Sequence, residues 1–226
     1  MYVLPIPREQ LLFLLPKGGE TAEIGVFKGG FSRHIIDRTK PRLHHMIDPW
    51  SVWSESENHY EEVKTKFAAE VAEGTAILHK DFSENIAKTI NDRSLDWVYI
   101  DGDHSYEGAM KDLVNFAPKV KSGGLVLGHD YVDHILAESR EPFGVVRAVN
   151  DFVRETSYVF VAMTAELFPT FLLAESWEAP IVKELIDNFL IRIPGTVEIK
   201  DYPGNRETLF RLLKLSNGRT AAVPSF

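Results

Sequence analysis

Short apolar runs of strand length alternate with helix-length segments along most of the chain, the pattern of a parallel sheet flanked by helices. Thr21–Val26 reads as a first strand, and Phe31–Arg38 as the helix that follows a glycine-rich turn. Leu43–Ile47 is a second strand ending at Asp48, and Asn58–Ala72 an amphipathic helix. Thr75–His79 makes a third strand, and Leu95–Ile100, the most hydrophobic, a fourth that ends in Asp101. Tyr106–Ala117 is helical, Gly124–Gly128 is a fifth strand running into His129 and Asp130, and Val145–Glu155 is a further helix. Tyr158–Met163 and Thr170–Ala174 bring the strands to seven. The gap between them cannot hold a crossover helix, which predicts an antiparallel last strand. Beyond Glu175 the pattern changes to a helix at Ile181–Phe189, a Pro194–Gly195 turn and a second helix at Arg206–Leu215. The expected organisation is a domain over 1–175 and a C-terminal extension over 176–226, read as edge packing, a lid or a dimer arm.

Composition narrows the class. The chain has 226 residues with 44% apolar, enough for one α/β core with an appendage. A net charge of −8, without a basic stripe, argues against a nucleic-acid partner, which would need cations against phosphates. Cysteine is absent, which removes disulfides, thiolate metal sites and a cysteine nucleophile. The apolar run Leu11–Leu15 is too short for a membrane span or a signal-peptide core. These features predict an acidic, soluble, cytoplasmic enzyme.

The candidate chemistry sits at the strand ends, where open α/β sheets bind ligands. The segment Glu23-Ile24-Gly25-Val26-Phe27-Lys28-Gly29-Gly30-Phe31-Ser32 closes a strand and opens a helix, so its backbone offers close approach and free N–H groups. It lacks the G-x-G-x-x-G spacing that cradles a pyrophosphate. Glu23, just before the turn, suits a cationic ligand group better than a phosphate. Asp48, about 20 residues on, is placed to accept from both hydroxyls of a ribose. A glycine turn and a capping aspartate also occur for purely structural reasons. Together they point to an adenosine-like ligand without phosphate.

Two further strand ends carry Ile100-Asp101-Gly102-Asp103-His104-Ser105-Tyr106 and Gly128-His129-Asp130-Tyr131. Adjacent strands lie about 5 Å apart, so Asp101 and Asp130 are placed to reach one cation. Oxygen ligands suit Mg²⁺, or Mn²⁺ where an imidazole joins them. One of Asp103 and Ser105 is expected to cap the next helix. His104 is the natural general base, since imidazole titrates near neutrality. His34, His44, His45, His59, His79 and His134 have no comparable context and read as surface or packing residues.

The runs AEIGVFKGGFS, LDWVYIDGDHSYEGAMKDL, KSGGLVLGHDY and GVVRAVNDF together resemble class I S-adenosylmethionine-dependent methyltransferases, in particular the branch with macrocin-type sugar O-methyltransferases. The resemblance covers roughly residues 18 to 175. It implies a Rossmann-like, seven-stranded, mostly parallel sheet with an antiparallel last strand. It also implies S-adenosylmethionine as cofactor. Glu23, Gly25 and the turn through Phe27, Lys28, Gly29 and Ser32 would hold its methionine part, beside Asp101. Asp48 would hold the ribose, Asp81-Phe82 would flank adenine, and Trp50 or Trp53 would either stack on the ligand or fill a loop core. In metal-dependent members, acids matching Asp101 and Asp130 hold Mg²⁺ and a histidine matching His104 acts as base. His129 stands where those members usually carry a second acid, so the metal set here is Asp101, His129 and Asp130.

The expected activity is methyl transfer to a small hydroxylated acceptor: a sugar, polyol or phenol. Rival readings are an S-adenosylmethionine-binding protein without catalysis, a nicotinamide-dependent oxidoreductase, which lacks its phosphate-binding glycines here, and a metal-dependent phosphatase. Acceptor loops are expected after the fourth to sixth strands, including Val132–Phe143, and in the tail. The tail also makes a homodimer reasonable.

Overall fold

A computed structural model describes residues 1–51, 56–132, 143–204, 209–214, 218 and 220–225; Trp53, His134 and every residue between Val132 and Phe143 lie outside them. Nine strands form one sheet: β1 (Tyr2–Leu4), β2 (Glu20–Ile24), β3 (Leu43–Ile47), β4 (Ala76–His79), β5 (Leu95–Ile100), β6 (Val120–Gly128), β7 (Val159–Thr164), β8 (Phe171–Ala174) and β9 (Val197–Glu198). Their order is β4-β3-β2-β5-β6-β8-β7-β1-β9. β4, β3, β2, β5 and β6 pair in parallel, and β8 runs antiparallel to both β6 and β7, as its short connection requires. The seven strands expected from the sequence are β2 to β8. β1 and β9 extend the edge beyond β7; with three and two residues they are too short to carry a period of their own.

Side chains alternate between two cores, which explains why the central strands read as continuous apolar runs. On β5, Val98 and Ile100 join one core while Trp97 and Tyr99 join the other. The first is closed by α6 (Tyr106–Phe116) and α7 (Val145–Glu155), the second by α1 (Arg8–Leu11), α2 (Gly30–Thr39) and α8 (Pro180–Arg192). Val145, Ala148, Val149 and Phe152 form the buried stripe of α7 at helical spacing. Ser105 caps α6, its side chain accepting from the Gly108 N–H at 3.0 Å.

Two predicted elements change and one is added. The helix expected over Asn58–Ala72 breaks at the fully buried Phe67 into α3 (Ser56–Lys66) and α4 (Ala68–Ala72). A short helical turn, α5 (Ser83–Ile86), follows β4. Of the helix expected at Arg206–Leu215, the described residues are instead a strand, β10 (Leu209–Lys214), paired antiparallel with β11 (Thr220–Ser225); 206–208 and 215 lie outside the described residues. The short segment Leu-Phe-Arg-Leu-Leu-Lys fits either period, and here the cross-strand partner decides. Val182, Leu185 and Phe189 of α8 enter the second core, and Ile199 and Tyr202 the first, so 180–202 packs on the sheet. Among the described residues no helix is long and apolar enough to cross a membrane.

Candidate active site

Backbone hydrogen bonds carry the ladder one step past the strands and fix the rim. The Gly25 N–H donates to Ile47 O at 2.9 Å, Asp48 N–H to His79 O at 3.2 Å, Asp101 N–H to Ile24 O at 2.8 Å and His129 N–H to Ile100 O at 2.9 Å. The expected strand-end residues therefore share one edge. Three non-glycine residues there adopt left-handed backbone, Phe27 (φ 51°), Trp50 (φ 42°) and Asp130 (φ 54°). Such conformations cost free energy and gather where a site demands them.

On the glycine-turn side, Asp48 accepts from Phe27 N–H at 2.9 Å through Oδ2 and from Trp50 N–H at 2.7 Å through Oδ1. Each oxygen keeps acceptor capacity for a second donor, so the carboxylate fits a diol while bracing the turn. Burial pushes the Asp48 carboxyl up and those two N–H groups oppose it. Trp50 is buried, and its indole N–H donates to Phe27 O at 2.8 Å while its ring meets Tyr60. It fills the loop core, the structural of its two expected roles. Phe27 and Phe82, by contrast, expose 51% and 52% of their surface at the ends of β2 and β4, and the Phe27 ring meets His59 edge-on at 4.8 Å. Asp81 caps its own turn, accepting from Phe82 N–H and the Asn85 side chain. Lys28 places its ammonium 5.3 Å from the Phe27 ring centroid, and Gly29 starts α2 in left-handed conformation against the Phe67 ring.

Glu23 differs from expectation in access. It is 1% exposed, and Ser32 donates to its Oε2 at 2.5 Å. His44 Nε2 lies 3.4 Å from the same oxygen, with Nδ1 2.8 Å from Thr21 Oγ1. Burial pushes the Glu23 carboxyl up against these partners. His44, which read as a packing residue, is thus part of the support beneath the turn.

The second half of the rim is a carboxylate–imidazole cluster. Among the described residues, Asp101, His104 and Asp130 bring one ligand atom each within 4.8 Å of one another. His104 Nε2 is 3.0 Å from Asp130 Oδ2 and 3.7 Å from Asp101 Oδ1; His129 Nδ1 is 3.2 Å from Asp130 Oδ1 and 3.6 Å from Asp101 Oδ1. Oxygen and imidazole donors in this arrangement fit a divalent cation such as Mg²⁺ or Mn²⁺. Burial would lower both imidazoles, but the carboxylates outweigh it: His104 is raised to about 10 and His129 to about 9. The same pairing overcomes burial to hold Asp101 and Asp130 below the usual carboxylate range. The expected general base is therefore an imidazolium while both carboxylates face it, and it becomes a proton acceptor only when they are otherwise engaged.

Phe168 and Arg8 went unread in the sequence, and Phe143 was read only as the end of the expected acceptor loop Val132–Phe143. Phe143 stacks on His104 with ring centroids 5.2 Å apart, and Phe168 stands between Phe143 and His129 at 6.4 and 6.3 Å, which gives the cluster an aromatic wall. Arg8 Nη1 donates to Asp101 Oδ2 at 3.0 Å from the opposite side. Phe143 and Phe168 lie on loops without periodicity, and Arg8 is 93 residues from its partner.

Solved structures share this arrangement of sheet and helices. The O-methyltransferase TomG from Streptomyces achromogenes, solved with SAM, superposes with a TM-score of 0.56 at 16% identity, covering 74% of this chain and 79% of that one. An rRNA methylase from Streptococcus thermophilus gives 0.52 at 10% identity over 74% of this chain and 92% of its own. A Streptococcus mutans protein solved with SAH gives 0.52 at 12% identity over 74% and 98%. The fold is that of a class I methyltransferase. In sequence, residues 22–131 match a family described as a methyltransferase domain, a span that begins within β2, runs through β6 and holds the glycine turn and the whole acid–imidazole cluster. No curated protein matches the chain in sequence.

Proposed function

We propose that this chain is an S-adenosylmethionine-dependent O-methyltransferase for a small hydroxylated acceptor: a sugar, polyol or phenol. One juxtaposition carries the reading. Asp48, whose two oxygens suit a diol, and the glycine turn without G-x-G-x-x-G spacing share a rim with Asp101, His104 and Asp130 on neighbouring strand ends. A net charge of −8 favours a small acceptor over nucleic acid.

In this reading the sulfonium–methyl bond breaks as the acceptor oxygen–methyl bond forms, and the acceptor proton leaves to the rim. The donor is already activated, so the protein supplies approach geometry and proton removal. Asp101 and Asp130 would hold a divalent cation, which when bound lowers the pKa of a coordinated hydroxyl. His104 takes up the proton once those carboxylates no longer pair with it, and the Phe143–Phe168 wall orients the acceptor ring beside it. The test is incubation with S-adenosylmethionine and a panel of sugars, polyols and phenols, read by mass spectrometry for one added methyl group. Methylation that His104→Ala abolishes, with cofactor affinity retained, supports the assignment. Methylation undiminished in His104→Ala refutes the role of His104, and undiminished turnover in chelator refutes that of the metal.

A further inference from the structure

Arg8 lies outside every motif that pointed to the site, yet its guanidinium sits where the end of β5 meets the first turn of α2. Nη1 donates to Asp101 Oδ2 at 3.0 Å and to the Tyr99 hydroxyl at 3.3 Å. Its Cζ stands 4.3 Å from the centroid of Phe31, in the first turn of the helix that opens after the glycines. The Arg8 backbone is pinned as well: its N–H donates to Glu166 Oε1 at 2.9 Å, an oxygen that also accepts from Thr164 Oγ1 at 2.6 Å. The guanidinium is thus held by Asp101, Tyr99 and Phe31, the backbone by Glu166, and the side chain is still 21% exposed. Nη2 makes no hydrogen bond among the described residues.

The two oxygens of Asp101 face different partners. Oδ1 looks towards His104 and His129, and Oδ2 towards Arg8. A permanent cation and an anion 3.0 Å apart at the mouth of the glycine turn form the complement of a zwitterion. The donor, on the reading proposed above, brings such a group in its amino-acid end, an ammonium and a carboxylate on one carbon. Glu23, the acid expected to meet it, is sealed beneath Ser32 and His44. That leaves the Asp101–Arg8 pair, with Glu9 Oε1 3.9 Å from Arg8 Nε and the Glu166 carboxylate on the Arg8 backbone, as the charges that face this corner.

We infer that Arg8 is a donor-binding residue that receives the carboxylate of the amino-acid end, with Asp101 Oδ2 beside it. This rests on the donor reading, and the experiment separates the two. S-adenosylhomocysteine and 5′-methylthioadenosine, which lacks the amino-acid end, are titrated calorimetrically into wild type, Arg8→Ala and Arg8→Lys. Arg8→Ala weakens S-adenosylhomocysteine by about 10- to 100-fold, the scale of charge-assisted hydrogen bonds. Arg8→Lys falls between, since a point charge replaces a fork. Methylthioadenosine binds all three proteins alike, which also shows that the adenosine side of the site is folded. Unchanged S-adenosylhomocysteine affinity in Arg8→Ala overturns the role of Arg8 and leaves the donor reading standing. An equal loss for both ligands overturns it too, by making Arg8 a support of the turn. Wild type that binds neither ligand overturns both readings.

Discussion

Gly25 is the position where the turn, the sheet and the site depend on one missing atom. Its φ is +88°, and a Cβ there would stand 1.8 Å from Asp101 O, 2.4 Å from Asp101 C and 2.9 Å from Gly102 N. All three are backbone atoms, so no side-chain rotation relieves the clash. Nor is the backbone free to yield, because Gly25 N–H is bonded to Ile47 O and Asp101 N–H to Ile24 O. For Gly25→Ala, the left-handed conformation costs about 1–2 kcal/mol and the overpacking about 1–3 kcal/mol. Their sum, about 2–5 kcal/mol, is a large part of the roughly 5–15 kcal/mol that holds a domain folded. Urea unfolding followed by the fluorescence of the four tryptophans reads it directly. The midpoint should drop by about 1–2 M at unchanged slope. Gly30→Ala is the control: a Cβ there meets nothing within 4 Å, so its stability should stay within about 0.5 kcal/mol of wild type. A Gly25→Ala protein as stable as Gly30→Ala would refute the claim that the β2 and β5 ends are locked together under the site.

Three further outcomes follow from the same geometry. Asp48→Ala removes the acceptor of Phe27 N–H and Trp50 N–H along with the diol ligand, so adenosine binding should fall by at least about tenfold by calorimetry; an unchanged affinity would move the ribose elsewhere. Asp130→Asn should weaken Mn²⁺ binding by more than about tenfold, since losing even an outer partner of a metal site costs about 10–100-fold; equal Mn²⁺ affinity in the two proteins would show that the cluster is not a cation site. Burial, with His45 beside it, pushes His79 down to about 4, and His45 Nδ1 lies 2.9 Å from His79 Nε2. The unfolded chain binds that proton near pH 6.5, so between about 6.5 and 4 it holds more protons than the folded one, and the His79 contribution falls as pH falls through this window. Asp112, pushed up to about 6 by burial, acts in the opposite direction, so the effect is read as the difference between wild type and His79→Gln. Parallel stability curves for the two proteins from pH 7 to pH 4 would contradict it.

The elements legible in the sequence were those whose own residues settle their environment. The stripe Val145, Ala148, Val149 and Phe152 defines α7 to its ends, and the doubly buried β5 stands out as a continuous apolar run. The rim residues were legible because each ends a strand: once the parallel order is right, Asp48, Asp101, His129 and Asp130 must share an edge. What stayed hidden depends on partners far along the chain. β1 and β9 exist only through pairing with β7 and with each other, and β10 is a strand because 220–225 lies beside it. Arg8 meets Asp101 across the whole glycine turn, and His44 becomes a site residue only through Glu23 on the adjacent strand. The charge state of His104 was also beyond reach. The sequence places a histidine near acids, whereas the separation of two carboxylates from one imidazole decides whether it starts as base or as cation.

Calorimetric titration of the purified protein with S-adenosylhomocysteine, with NAD⁺ as control, tests the central claim most directly. The account predicts micromolar binding of S-adenosylhomocysteine and none of NAD⁺, because the turn lacks a pyrophosphate cradle while Asp48 offers a diol site. Failure to bind S-adenosylhomocysteine, or a preference for NAD⁺, would contradict it.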